Sequence, residues 1–284
     1  MIQDPGSTPT QAAATADSLY QRALEHIAAG DFSNAVMTSQ EALEHDPSNG
    51  DYISAVAQSL MPGKGYKFVL KRIHEVFQPS SYLEIGVSKG RSMALSDPST
   101  HVVGIDPAFR IDAEICAQAR LYPITSDSFF DRYDLFNELD TKHLDLAFID
   151  GLHLFEQVLR DFTNVEKYAS ANTVVLIHDC YPVSELTAER NRSTNFWTGD
   201  VWKIIPCLRR ERPDLKVHVI PCRPSGLAFV TGLNADSKHL VDNFEEIARS
   251  YSQLDYRDIP EDREAYFAIV PNEWDAIANL WPIQ

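Results

Sequence analysis

Two hydrophobic periods divide the chain. From about Ala16 to Asn49 apolar residues recur at helical spacing on both sides of Gly30-Asp31, which predicts a helix, a tight turn and a second helix. A further helix is expected over about Lys67 to Val76. From Ser81 the period shortens. The runs "SYLEIG", "HVVGID", "LYPIT", "LDLAFID" and "TVVLIHD" are rich in Val, Ile and Leu, and helical stretches alternate with them. Near-continuous apolar strands of this kind predict a parallel sheet covered on both faces. Beyond a long polar loop and the helix "GDVWKIIPCLRRERPD" lie two more strands, "LKVHVIP" and "GLAFVTG". Their connection, "CRPS", is too short for a crossover, so they are expected to pair antiparallel. The expected fold is α/β: a doubly wound seven-stranded sheet of five parallel strands plus a C-terminal antiparallel hairpin, under an N-terminal helical cap.

Domain limits follow. Residues 1–15 are polar and turn-rich and read as a disordered tail; 16–78 form the cap, 79–235 the sheet domain, and 236–284 one helix (Lys238 to Tyr251) with a tail. Ala23, Ala35 and Ala42, with Phe32 after the turn and Pro47 after the second helix, make the hairpin resemble one tetratricopeptide repeat. One repeat cannot bury its own faces, so it is expected to pack on the main domain or on a second copy, the route to a homo-oligomer.

Composition narrows the partners. A net charge of −16 over 284 residues argues against a nucleic-acid backbone, which needs a basic patch. No apolar run approaches a membrane span, and no N-terminal basic-plus-apolar signal is present. Cys116, Cys180, Cys207 and Cys222 are scattered without metal spacing and read as reduced thiols, so the expected setting is cytoplasmic.

Candidate chemistry gathers at strand ends. "YLEIGVSKGRS" follows the first strand, with Glu84, Gly86, Ser88 and Gly90 in a turn that lets backbone approach a ligand closely. Asp106 ends the second strand, where a carboxylate can accept hydrogen bonds from ribose hydroxyls. Ser126 and Asp127 follow the third strand and could meet an adenine edge. Together these features resemble the class I S-adenosylmethionine-dependent methyltransferases, which share a Rossmann-like sheet, over roughly Ser81 to Gly232. The resemblance implies that Glu84, Gly86, Ser88, Gly90 and Asp106 hold the cofactor, with Ser126, Asp127 and Asp150 beside it.

A second set surrounds the next two strand ends. Asp150 and Asp179 can converge beside the cofactor, and hard divalent cations favour such oxygen ligands. His153, three residues after Asp150, can take a departing proton. The constellation is similar to metal-dependent sugar and macrolide O-methyltransferases, in which a D-x-x-H element and an acidic pair bind magnesium and supply the base. That implies Asp150, His178 and Asp179 as metal ligands and His153 with Asp150 as the catalytic pair. His178 stands where an acidic residue is often found. As a ligand it would tilt preference from magnesium toward manganese, iron or zinc; otherwise it supports the ligands or binds substrate. Arg190, Arg192, Trp197 and Trp202, in the loop after Asp179, either recognise a polar ring or simply pack. The expected activity is O-methylation of a small hydroxylated molecule such as a sugar, glycoside or polyketide. The rivals are a metal-independent methyltransferase with His153 as base, and a non-catalytic scaffold.

Overall fold

The computed structural model describes residues 9–282. Its first part is helical: α1 (Pro9–Ala29), α2 (Phe32–His45), α3 (Gly50–Leu60) and α4 (Tyr66–Phe77). Gly30, at φ +73°, turns the chain between α1 and α2, and Asp31 caps α2 by accepting from the Asn34 amide. Ala23, Ala35 and Ala42 are fully buried, so small side chains let the hairpin helices approach closely.

The sheet domain follows, with β1 (Ser81–Ile85), β2 (His101–Ile105), β3 (Gln118–Tyr122), α5 (Ser126–Arg132), α6 (Leu135–Glu138), β4 (Leu146–Ile149) and α7 (Phe155–Glu166). After β5 (Val174–His178) come α8 (Ile204–Glu211), β6 (Lys216–Ile220) and β7 (Leu227–Thr231). The chain closes with α9 (His239–Asp242), α10 (Phe244–Ser252), α11 (Arg263–Phe267) and α12 (Trp274–Ala278). Among the described residues the seven strands form one sheet in the order β3-β2-β1-β4-β5-β7-β6. The first five are parallel, and β7 pairs antiparallel with both β5 and β6. This is the Rossmann-like doubly wound sheet that the strand pattern predicts.

Alternation along each strand divides the apolar residues between two layers. In β4, Ala147 and Ile149 join the layer containing α7 and α8, whereas Leu146 and Phe148 face the layer containing α4. Helix α7 earns its place with Phe155, Val158, Leu159, Phe162 and Val165, all buried and at helical spacing. The register then aligns the strand ends. Ile85 lies opposite both Ile105 and Ile149, and Ile149 lies opposite Ile177. The residues that follow this row, Gly86, Asp106, Asp150 and His178, therefore emerge at one edge, two strands on each side of the switch between β1 and β4.

Four expectations are corrected. Helix α1 begins at Pro9, inside the stretch 1–15 read as a tail; Pro suits a first helical position and an alanine-rich run follows it. Residues 1–8 of that expected tail lie outside the described residues. Helix α3 was not foreseen, although Asn49 caps it and Ile53, Val56 and Ala57 are buried along one side. Strand β3 ends at Tyr122, before Pro123, rather than running through it; as an exposed edge strand it lacks the apolar signature. The expected helix from Lys238 to Tyr251 is broken at Asn243, whose side chain donates to the His239 carbonyl and competes with the helical pattern. The aromatic tail is not free: Trp281 stacks on Phe77 of α4 at 3.9 Å.

Arg212, at the end of α8, donates from Nη1 to both carboxylate oxygens of Glu166 on α7, at 2.8 and 2.7 Å, and both residues are buried. Removing one partner strands the other charge. Arg212→Met is expected to cost about 3–5 kcal/mol in urea unfolding, and adding Glu166→Gln should recover part of that loss.

Candidate active site

The loop after β1 is shaped by contact rather than by flexibility. At Gly86, φ +94°, a Cβ would stand 2.0 Å from the carbonyl oxygen of Asp150, so only glycine lets this loop cross the end of β4. The Ser88 amide, in the left-handed region, donates to Asp106 Oδ2 at 2.7 Å, and the Ala108 amide donates to Oδ1 at 2.7 Å. Asp106 is thereby held between two loops at the wall of a cavity of about 660 Å³. Gly86, Ser88, Asp106, Ser126, Asp127, Asp150, His153, His178 and Asp179 all line this cavity.

Glu84 and Gly90 do not line it. Glu84 is fully buried beneath the loop, accepting from Tyr82 Oη at 2.7 Å and Ser92 Oγ at 2.6 Å. Burial pushes its carboxyl up to about 8 against those two hydrogen bonds, with Asp150 and Asp106 adding to the rise. Gly90, at φ +73°, packs under Ile111 and Ile115. Both residues hold the loop from behind.

The other end of the cavity carries a compact acid–imidazole cluster. His153 Nε2 is 3.1 Å from Asp179 Oδ2 and 3.8 Å from Asp150 Oδ1. One ligand-capable atom from each of Asp150, His153 and Asp179 can be chosen so that all lie within 4.8 Å of one another. His153 Nδ1 is 3.1 Å from the Trp197 carbonyl oxygen, which can only accept, so Nδ1 carries the proton. A neutral imidazole then presents the Nε2 lone pair to two carboxylates. That is repulsive unless a proton or a metal cation stands between them, and two carboxylates with one imidazole suit a divalent ion.

His178 stands outside this set. Its Nδ1 lies 3.2 Å from Asp150 Oδ1 and 3.4 Å from Asp179 Oδ1, while Nε2 is buried without a partner. Burial opposes its charge, but the carboxylates of Asp179 and Asp150 outweigh that and lift it to about 10. In that state it is a cation between two anions, with the Tyr66 ring of α4 against it at 4.0 Å. Asp179 is itself buried, which favours its neutral form; His178, His153 and the Ser225 hydroxyl prevail and hold it below the usual carboxylate range.

Several of these supports escape a reading of strand ends. Trp197 stacks on His153 with ring centroids 5.1 Å apart. At Gly199 a Cβ would meet the His153 carbonyl at 1.9 Å, and Asp200 Oδ1 caps α7 by accepting from the Phe155 amide at 2.8 Å. The pattern "W-x-G-D" was visible, but not its target. Trp202 is buried packing, and Arg190 is engaged by Glu156 and Asp200. Arg192 donates to the carbonyls of Thr194 and Asn195. Gln157, Asp161, Leu152 and Pro107 line the cavity without having been named from sequence.

Residues 83–180 match the family described as "Methyltransferase domain", a span from within β1 to just past Asp179. The cavity thus lies in a region that is similar to a methyltransferase domain, a likeness that spans about a third of the chain. The fold is similar to that of cofactor-bound Rv0187 from MTB, at 15% identity and a TM-score of 0.47, covering 66% of this chain and 89% of that one. It is also similar to the O-methyltransferase TomG of Streptomyces achromogenes (14% identity, TM-score 0.45, 64% and 89% covered). An O-methyltransferase of Bacillus cereus is similar at 14% identity and a TM-score of 0.41, with 70% and 97% covered. No curated protein matches the chain in sequence. Among the described residues no helix is long and apolar enough to cross a membrane.

Beneath the glycine loop, Glu84 makes a prediction about pH. Its carboxyl is raised in the fold above the ordinary value of 4.5, so the native state holds a proton that the unfolded chain has released. Stability from this group is present below about 4.5 and is lost as pH rises toward about 8. Glu84→Gln, which keeps the shape without the proton, should flatten the decline between these values in thermal unfolding followed across pH. An unchanged slope would mean that other groups cause it.

Proposed function

We propose that the protein methylates a hydroxyl oxygen of a small molecule (a sugar, glycoside or polyketide) with Asp150, His153 and Asp179 as the acceptor-activating set. The observation that carries this reading is the meeting of those three side chains in the cavity that also holds Asp106 and the glycine loop. S-adenosylmethionine would supply the methyl group as a sulfonium, and a divalent cation held by the three side chains would orient and acidify the acceptor hydroxyl. The names of the TomG and Bacillus cereus proteins, both O-methyltransferases, are consistent with oxygen as the acceptor.

The chain's own contributions follow from its geometry. Asp106, already oriented by two amide donors, keeps lone pairs for ribose hydroxyls. Asp106, Asp127, Asp150 and Asp179 give the cavity an acidic wall that favours a sulfonium and a metal cation alike. Trp197 holds His153 in one tautomer and one plane, so Nε2 always faces the carboxylates. His178 stands between Asp150 and Asp179, with Nδ1 3.2 Å and 3.4 Å from their Oδ1 atoms, and holds the two side chains in place. Leu152, more than half exposed at the cavity rim, offers apolar contact to an acceptor's ring or chain.

A second reading rests on the 3.1 Å approach of His153 to Asp179, a histidine–carboxylate pair that can take the hydroxyl proton without metal. Titration calorimetry with S-adenosylmethionine and S-adenosylhomocysteine, with and without magnesium or manganese, tests the common core. Asp106→Ala should weaken cofactor binding at least about tenfold, the loss of a hydrogen bond to a charged group worth about 1.5–3 kcal/mol. Asp179→Asn should weaken metal binding and methyl transfer together while sparing the cofactor. With an acceptor in hand, transfer that survives chelation favours the metal-free pair, and His153→Ala should then slow it by about 10²–10⁴.

A further inference from the structure

Two helix faces in the N-terminal part of the fold point outward, each with a large apolar side chain at its centre. Helix α2 buries Ala35, Thr38, Ser39, Ala42 and Leu43. Its opposite face carries Met37, 57% exposed, with Glu41 and Glu44 exposed one and two turns later. Helix α4 buries Val69, Leu70, Ile73 and His74. Its outer face carries Phe68, 53% exposed, among the exposed cations Lys64, Lys67, Lys71 and Arg72. Lys71 and Arg72 share Glu75, at 2.7 and 3.7 Å. Lys64 and Lys67 instead lie over the Phe68 and Tyr66 rings, 5.2 and 5.7 Å from the centroids. Neither lysine pairs with a carboxylate among the described residues, and neither Glu41 nor Glu44 pairs with a cation there.

The charges also sit at the helix ends that least favour them. Lys67 is in the first turn of α4, which holds no acidic residue and has no side-chain cap at Gly65. Glu44 is in the last turn of α2, where His45 is the basic residue. A helix begins partly positive and ends partly negative, so each cluster has the same sign as the helix end beside it. Such an arrangement costs stability in a lone chain and is offset where the two ends meet. A lipid surface suits the basic face poorly, since a net charge of −16 repels anionic headgroups. An acidic helix with an exposed apolar residue of its own suits it well, and α2 is such a helix.

We propose that a second copy of the chain docks here, the α2 face around Met37 and Glu44 of one protomer against the α4 face around Phe68 and Lys67 of its partner. Met37 and Phe68 form the dry centre, and the surrounding charge pairs fix the orientation. Docking of this kind is independent of the chemistry in the cavity.

Light scattering on the full chain at low salt provides the test. The wild type should show at least twice the 32.0 kDa of one chain. Lys64→Glu with Lys67→Glu, and separately Glu41→Lys with Glu44→Lys, set like charges across the contact. Each pair should weaken association by about a hundredfold. All four changes lie on exposed positions and suit the dipole of the nearby helix end, so unchanged circular dichroism is expected of both variants. Mixed in equal amounts, the two variants should regain the wild-type mass, because each then offers the sign that the other lacks. A wild-type chain that stays at 32.0 kDa up to its solubility limit overturns the proposal without any variant. An oligomer that neither charge reversal disturbs overturns it too, as do folded variants that fail to recombine.

Discussion

The site depends on a row of four isoleucines. Ile85, Ile105, Ile149 and Ile177 stand side by side across β2, β1, β4 and β5, and each is buried. A slip of one residue in any of these strands would turn its whole apolar set to the opposite layer, so the packing of both layers enforces this register. Because the row is level, the next residues leave the sheet at one edge, and Gly86, Asp106, Asp150 and His178 become neighbours. The chemistry of the cavity is thus a consequence of how aliphatic side chains pack beneath it.

Close backbone approach is the second constraint. The first loop can cross the end of β4 only because Gly86 has no side chain against the Asp150 carbonyl, and the loop from Trp197 to Asp200 can clasp His153 only because of Gly199. Around these crossings the imidazoles of His153 and His178 meet the carboxylates of Asp150 and Asp179 at low solvent exposure, where unpaired charge is costly. The structure answers with His178, sandwiched between Asp150 and Asp179 and roofed by Tyr66. What remains is a set of three donors whose mutual repulsion only a proton or a metal cation relieves.

The division of labour between the two histidines illustrates how tertiary contacts assign roles that residue types leave open. Both lie near carboxylates, and both could ligate or carry a proton. The Trp197 carbonyl, which comes from a loop 44 residues away, turns the Nε2 of His153 toward the carboxylates. His178 instead points Nδ1 at the carboxylates and keeps Nε2 buried without a partner, with the Tyr66 ring packed against the imidazole.

Much of this was legible in the chain itself, for a physical reason. Parallel strands buried on both faces must be short runs of Val, Ile and Leu, so β1, β2, β4 and β5, the glycine or aspartate after each, and the closing hairpin could be read directly. The Asp106, Asp150 and Asp179 positions follow from those ends. Elements with weaker burial were harder to read: the exposed edge strand β3 was displaced, and α9 and α10 were merged because a side-chain competition at Asn243 has no periodic signature. Contacts between distant segments were out of reach altogether. That Glu84 lies under the loop rather than in the cavity, that Asp200 caps α7, that Tyr66 covers His178, and that Asp161 is buried with one oxygen unpaired all depend on which surfaces meet. Hydrophobic period encodes which face of an element is buried, but a hydrogen bond across the fold depends on positions to a fraction of an ångström, and only the assembled packing decides those.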